Sequence, residues 1–273
     1  MSIILGFLAG VGLPIQTSVN TRLRKKVGSP YNASLVSFVV ALLFLSALLL
    51  ITGQGLHIPL AQLLNEPAWI WIGGICGLVF LTGNILLFSK LGGVQTVVLP
   101  VLGQILMGLI IDNFGLFYSQ KTPLSVFRIA GAVMVILGVV LVSMAKENKT
   151  ASEKLQKSGS TTLWIWRAFG IFAGMLSATQ IAVNGYLGKV VGSPIKASAI
   201  SFTVRIIFLA IICIVLHFKN GKSESFKNES AKNPWWMWIG GILGGLYILA
   251  NVYLSRIVGT GMTVIILLIG STT

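Results

Sequence analysis

Charged residues are scarce in this sequence. Only 10% of its 273 residues are Asp, Glu, Lys or Arg, whereas 55% are hydrophobic. Soluble domains carry about 25% charged residues, so this composition excludes an ordinary soluble protein. Acidic residues are rarer than basic ones, six against twenty, and Asp112 is the single aspartate.

Cysteine and histidine are almost absent. Cys76 and Cys213 lie inside apolar runs with no partner at a useful spacing, which excludes a disulfide framework and a metal site. His57 and His217 stand alone near the ends of such runs. No phosphate-binding glycine loop and no nucleophile motif occurs. The sequence therefore predicts neither an enzyme nor a bound cofactor.

Apolar runs of about 20 residues fill most of the chain. At about 1.5 Å rise per residue, each is long enough to cross a hydrocarbon core of about 30 Å. The first run begins at Ile3 with no basic residue before it and no cleavage site, so it is typical of a retained helix. We predict an all-α integral membrane protein in the lipid bilayer, with about nine transmembrane helices near residues 3–20, 32–52, 68–88, 94–112, 126–145, 164–187, 195–218, 235–255 and 261–273.

The net charge of +14 could indicate nucleic-acid binding, but the positions of the charges favour another reading. Arg22, Arg24, Lys25 and Lys26 are assigned to one short loop, and Lys146 to Lys157 fall in another. Basic clusters between apolar spans are typical of cytoplasmic loops, because the loops of membrane proteins that remain on the cytoplasmic side carry an excess of Lys and Arg. We therefore expect no nucleic-acid partner, and an N-terminus outside the cell.

The two halves of the chain are related by duplication. Residues 146–163 are polar and rich in Ser, Thr and Lys, and they form the predicted cytoplasmic linker between a first repeat at 1–145 and a second at 164–273. A shift of 164 residues superposes identical residues from Gly6 to Phe38, and a shift of 167 does so from Trp69 to Gly103. The matched pairs include Gln16 with Gln180, Asn20 with Asn184, Pro30 with Pro194, Phe38 with Phe202, Trp71 with Trp238 and Asn84 with Asn251.

The span count determines how the repeats lie in the membrane. Five spans in the first unit are an odd number, so a short polar linker places the second unit in the opposite orientation. The bundle is thus predicted to consist of two inverted-topology repeats of five and about four helices. The sequence stops at Thr273, before the counterpart of the last helix of the first repeat. Either the natural chain continues into a tenth helix or the protein lacks it, and in the second case a homodimer or a partner membrane subunit is a further expectation.

The repeated motifs are similar to those of a known family. A G-x-x-x-P-x-Q-x-x-x-N pattern followed by GSP, a W-x-G-G-x-x-G run and the segment Leu109–Phe117 resemble the YdcZ family of bacterial inner-membrane proteins. The resemblance implies membership of the drug/metabolite transporter superfamily and localisation in the plasma membrane. Ala178, where the first repeat has Pro14, departs from the pattern.

Buried amides are the candidate substrate ligands. Gly6, Gly10, Gln16 and Asn20 share one face of the first span, and the second repeat copies this face. Small residues allow a neighbouring helix to approach closely, so the amides either bind a polar substrate or join helices to each other. The full set of candidate substrate-binding amides is Gln16, Asn20, Asn84, Gln180, Asn184 and Asn251.

Two charged residues complete the candidate site. Arg205 lies near the middle of a span, where a charge costs about 2.5–3.5 kcal/mol, and it has only Ala41 as its counterpart. It could bind an anionic substrate, pair with a carboxylate, snorkel to the interface or face water. Asp112 ends the fourth span and could carry a proton, although a position at the interface that fixes the following turn is the alternative.

These features favour a secondary transporter that moves or exports a small organic metabolite or drug by alternating access. Two alternatives remain open: a non-transporting membrane subunit that assembles with a partner helix, and a flippase that binds lipid headgroups through Arg205. Small-molecule substrate, transport direction and coupling ion are not specified by the residues.

Overall fold

The computed structural model of the chain describes residues 2–58, 60–144, 160–220 and 234–272. Every regular element in these ranges is helical. The nine α-helices are α1 Ser2–Val27, α2 Pro30–Ile51, α3 Leu60–Leu64, α4 Ile72–Phe114, α5 Val126–Met144, α6 Ser160–Val190, α7 Pro194–Asn220, α8 Gly240–Val258 and α9 Thr260–Thr272. Short 3₁₀ turns occur at Ala68–Trp71, Leu116–Tyr118 and Trp235–Trp238.

The helices have the length and the surface that a bilayer requires. Five helical stretches of the described chain are long and apolar enough to cross a membrane, and they are Pro30–Ile51, Ala68–Phe114, Thr162–Val190, Pro194–Leu216 and Trp235–Val258. Large apolar side chains such as Leu43 and Phe127 are exposed on the outside of the bundle. Helices with satisfied backbones and apolar outer faces are suited to lipid. The predicted all-α integral membrane fold is confirmed.

The predicted third and fourth spans belong to one helix that folds back on itself. α4 has 43 residues and is interrupted at Gly92, whose φ of 79° and ψ of 179° suit glycine alone. Phe80 and Gln104 line the same cavity, although a straight helix would place them about 36 Å apart. Gly259, the repeat counterpart, has φ 81° and ψ 174° and separates α8 from α9.

Some predicted boundaries are wrong. The basic cluster Arg22–Lys26 does not lie in a loop, because α1 continues to Val27 and carries these residues near its C-terminus. Cations are favourable there because they face the negative end of the helix dipole. The predicted linker 146–163 is also too long, since α6 begins at Ser160. The rest of that linker, up to residue 159, lies outside the described residues.

The repeated Gly-Ser-Pro motif makes the tight connection after the first helix of each repeat. Gly28 and Gly192 have positive φ values of 79° and 69°, which end α1 and α6 without a Cβ clash. Ser29 then caps α2, its hydroxyl accepting a hydrogen bond from the Tyr31 amide at 3.2 Å. Pro30 begins α2 with φ already fixed. The same local chemistry therefore builds both hairpins.

The halves pack against each other reciprocally. α1 packs on α8 and α9, while α6 packs on α4, and α2 packs on α7. Glycines allow these approaches: a Cβ on Gly10 would overlap the Leu267 carbonyl, and a Cβ on Gly174 would overlap the Pro100 carbonyl. Leu267 and Pro100 are themselves repeat counterparts. Such reciprocal contacts are what a two-fold relation between the halves produces.

Candidate functional site

Gln16 and Asn20 lie where α1 meets α8. A Cβ on Gly244 would overlap the Gln16 amide, and a Cβ on Gly240 would overlap the Asn20 amide. The two glycines are four residues apart, so they form one small-residue face of α8. The predicted shared face of α1 therefore contacts a neighbouring helix through its amides.

Gln180 and Asn184 repeat this arrangement where α6 meets α4. Gly73 faces the Asn184 amide, and Gly77 faces both Gln180 and the Arg205 guanidinium. Asn184 Nδ2 donates to Ser201 Oγ on α7 at 3.1 Å. The second cluster thus has one feature that the first lacks, because Arg205 joins it.

All eight predicted site residues are buried, with exposures between 0 and 5%. Buried polar groups are ordinarily hydrogen-bonded. Among the described residues, however, the buried side-chain polar atoms without a partner belong to seven of these eight predicted residues, Gln16 being the exception. These residues are Asn20, Asn84, Asp112, Gln180, Asn184, Arg205 and Asn251. The buried polar atoms that still lack a hydrogen-bond partner in the described bundle therefore belong to residues that the sequence had marked as the candidate site.

Asn84 lies apart from the two glycine-facing clusters. It lines a cavity of about 370 Å³ between α1, the two segments of α4 and α9. The lining adds neutral polar groups to a mostly apolar surface, and these come from Thr17, Ser18, Thr96, Gln104 and Ser271. Its counterpart Asn251 donates to the Tyr247 carbonyl at 2.8 Å and does not line this cavity. The structure does not bring the two asparagines into equivalent surroundings.

Arg205 is enclosed by aromatic rings. Its Cζ atom lies 4.4 Å from the centroid of the Phe202 ring and 5.6 Å from that of Phe38. Its Nη2 donates to Ser201 Oγ at 3.3 Å, while Nε has no partner. The guanidinium is therefore held in place by cation–π contacts with these two rings and by one long hydrogen bond.

Asp112 connects three helices. Its Oδ2 accepts from the Gly261 amide at 3.0 Å, at the start of α9, and from Arg128 Nη1 at 3.4 Å, at the start of α5. The following turn is held by other groups, since the Asp112 backbone carbonyl accepts from Thr122 and the Asn113 side chain accepts from Leu124. The carboxylate therefore acts at a helix N-terminus as well as in an ion pair.

Sequence reasoning missed several residues around the site. Phe38 and Phe202, which enclose Arg205, are identical counterparts in the repeats and could have been singled out on that ground. Ser201 joins Asn184 to Arg205 and also has an identical counterpart, Ser37. Gln104 Nε2 donates to Ser177 Oγ at 2.9 Å, which links α4 to α6, and no repeated pattern marked this pair.

The two ends of the bundle differ in charge. At one end Trp69 packs on Tyr186, with ring centroids 5.1 Å apart, and the Tyr186 hydroxyl donates to Glu66 at 2.7 Å. The counterparts at the other end are Trp236 and Arg22, whose guanidinium lies 5.1 Å from the indole centroid. One repeat therefore places a positive charge where the other places a neutral ring.

Comparison with known proteins identifies the family of this chain. The family model described as "Putative inner membrane exporter, YdcZ" matches residues 1–141 and 165–273. The inner membrane protein YdcZ of Escherichia coli (strain K12) is 29% identical over 149 residues, which are 52% of this chain and 95% of that protein. Both descriptions place the matched proteins in the inner membrane, and that of the family names an exporter. This multi-pass membrane chain belongs to the YdcZ family of inner-membrane exporters.

Proposed function

We propose that the chain exports a small organic molecule by alternating access between its two halves. The observation that carries this proposal is the set of buried polar atoms without partners at the contacts between the halves. Such atoms cost free energy in a membrane bundle unless another state or a ligand satisfies them. A substrate bound between the halves would supply the missing partners.

The glycine contacts support movement at the same places. Gly73, Gly77, Gly240 and Gly244 pack directly on amide groups, with no side chain interlocking the helices at these points. Inverted-repeat transporters bind substrate between their repeats, and the binding site opens to one side of the membrane and then to the other. We propose the same inverted relation for residues 1–145 and 164–273.

The charge difference between the ends supports an orientation. Arg22 lies on Trp236, and Lys26 Nζ lies 5.4 Å from the Trp238 ring centroid. The counterparts of these two basic residues at the other end are the uncharged Tyr186 and Val190. Under the positive-inside rule this end is cytoplasmic. The N-terminus of α1 would then lie outside, and the Trp69–Tyr186 contact would close the outer end.

Cysteine accessibility tests alternating access without knowledge of the substrate. Cys76 and Cys213 are first replaced by alanine, and Gln16→Cys or Gln180→Cys is introduced singly. A membrane-impermeant maleimide is then applied to right-side-out and inside-out vesicles. We expect both positions to react from both sides, although both are almost fully buried in this structure.

Ile181→Cys is the matched control, because Ile181 is adjacent to Gln180 and lies in the apolar core. It should stay unreactive from either side. Labelling of Gln16→Cys and Gln180→Cys from one side only, or from neither, would contradict alternating access at this interface.

A further inference from the structure

The positive charge of Arg205 lies at mid-membrane depth. Arg205 is the central residue of the 23-residue span Pro194–Leu216, and its exposure is 3%. A helix rise of about 1.5 Å per residue puts it about 17 Å from the start of that span. Its side chain therefore cannot easily reach either interface, and snorkelling does not explain it.

No described carboxylate balances this charge. Asp112 pairs with Arg128, and Glu66 accepts from Tyr186. These are the two acidic residues within the described ranges. The other four, Glu147, Glu153, Glu224 and Glu229, occur in polar segments between the spans. The guanidinium has Ser201 as its hydrogen-bond partner, and its Nε is unsatisfied.

The position of Arg205 is also central between the halves. Phe38 and Phe202 are repeat counterparts, and their ring centroids lie 5.9 Å apart in an edge-to-face contact. Counterparts that touch each other mark the axis relating two halves. Arg205 lies beside this contact, next to Gln180 and opposite Gly77, whose missing side chain leaves room for the guanidinium.

From these observations we propose that Arg205, with Gln180 beside it, binds the anionic group of the exported molecule, and that this molecule is an organic carboxylate. The inference rests on the proposed function, since the enclosed guanidinium is reached only when the halves separate. A planar guanidinium presents parallel donors that match the two oxygens of a carboxylate. Repeat symmetry does not require the residue, because Ala41 occupies the counterpart position. The fold can therefore pack without a positive charge at this position, which favours a ligand-binding role for the Arg205 guanidinium.

The first test measures melting temperature by tryptophan fluorescence in detergent, with no ligand added. Arg205→Met keeps much of the side-chain length and removes the charge, and Arg256→Met removes an exposed charge as the control. We expect Arg205→Met to melt several degrees higher than the wild type, and Arg256→Met to stay within about one degree. A lower melting temperature in Arg205→Met would assign Arg205 a structural role and overturn the proposal.

The second test adds benzoate or its neutral isostere benzamide to the same proteins. Benzoate should raise the melting temperature of the wild type, raise that of Arg205→Lys less, and leave Arg205→Met unchanged. Benzamide should shift none of them. Equal shifts by both compounds, equal benzoate shifts in the wild type and Arg205→Met, or no benzoate shift in the wild type would each overturn the anion site.

Uptake into proteoliposomes separates this inference from the proposed function. Benzoate protection that depends on Arg205, without uptake of labelled benzoate, would keep the anion site and count against transport. Uptake of labelled benzamide by Arg205→Met at the wild-type rate would keep transport and overturn the carboxylate assignment.

Discussion

Gly103→Ala should destabilise the bundle strongly, although it adds a single methyl group. A Cβ on Gly103 would overlap the Ile171 carbonyl oxygen of α6 and would lie 2.8 Å from the carbonyl carbon and 2.9 Å from the Met175 nitrogen. Non-bonded carbon atoms prefer separations of about 3.5–4.0 Å. Since the opposing atoms are backbone, no side-chain rotation relieves the overlap, and α4 and α6 must move apart by roughly 1 Å.

The cost follows from the contacts that this separation weakens. A gap of roughly 0.5–1 Å forfeits a quarter to a half of each dispersion contact. Spread over the side chains that pack beside Gly103, this loss amounts to about 2–4 kcal/mol, at the upper end of overpacking costs. Gly131→Ala on α5 is the control, because a Cβ there meets nothing within 4 Å. It should stabilise the helix by about 0.5–1 kcal/mol.

Equilibrium unfolding in mixed micelles of increasing SDS fraction, followed by tryptophan fluorescence, measures both variants. Gly10→Ala, whose Cβ would overlap the Leu267 carbonyl, should cost as much as Gly103→Ala, and the two costs should add because they weaken different helix pairs. Similar shifts for Gly103→Ala and Gly131→Ala would refute the close-packing argument.

Two further substitutions test single features of the fold. Gly92→Ala should lower the free energy of unfolding by about 1–3 kcal/mol, because a φ near 79° strains any residue that has a side chain. Gly93→Ala should be nearly neutral, since its Cβ would meet Phe88 at an ordinary 3.6 Å. Equal melting temperatures for the two variants would count against the strained bend. Asp112→Asn should cost about 1–3 kcal/mol through the lost charge on the Gly261 and Arg128 contacts, measured by the same unfolding assay. Asn113→Ala, which loses an exposed hydrogen bond, should cost less, and the reverse order would refute the role of the carboxylate.

The sequence predicted those parts of the fold that depend on local chemistry. Hydropathy located the five helical stretches that are long and apolar enough to cross a membrane. The Gly-Ser-Pro motif places a capping serine, Ser29 or Ser193, at the same point in both repeats. The end of α1 was missed, since the basic residues Arg22–Lys26 resemble a loop by composition while their helix is stabilised by its own dipole. A loop was expected between the third and fourth spans, where the structure has only a break at Gly92. Hydropathy does not reveal that one residue with a positive φ can reverse the direction of a helix.

For the candidate site, the sequence identified the polar residues but not their neighbours. Periodicity places Gln180 and Asn184 on one face, and burial follows from the apolar context. The contacts of Arg205 with Phe38 and Phe202 depend on how α2 and α7 meet, which no pattern within one helix records. Asn84 and Asn251 also differ in their surroundings, because α9 and α1 contact α4 next to Asn84. Matching the two repeats residue by residue does not predict such contacts between helices.

The reciprocal packing of the halves has a consequence for biosynthesis. The amide face of α1 meets its partners on α8 only after more than 200 further residues have been made. At about 5–20 residues per second, Gln16 and Asn20 wait for roughly 10–45 s before Gly240 and Gly244 arrive. During that time the first helix must keep its amides away from lipid by other means, such as the insertion machinery or temporary neighbours. Assembly of this exporter therefore waits for the synthesis of α8, and quality control has a long interval in which to act on an unfinished chain.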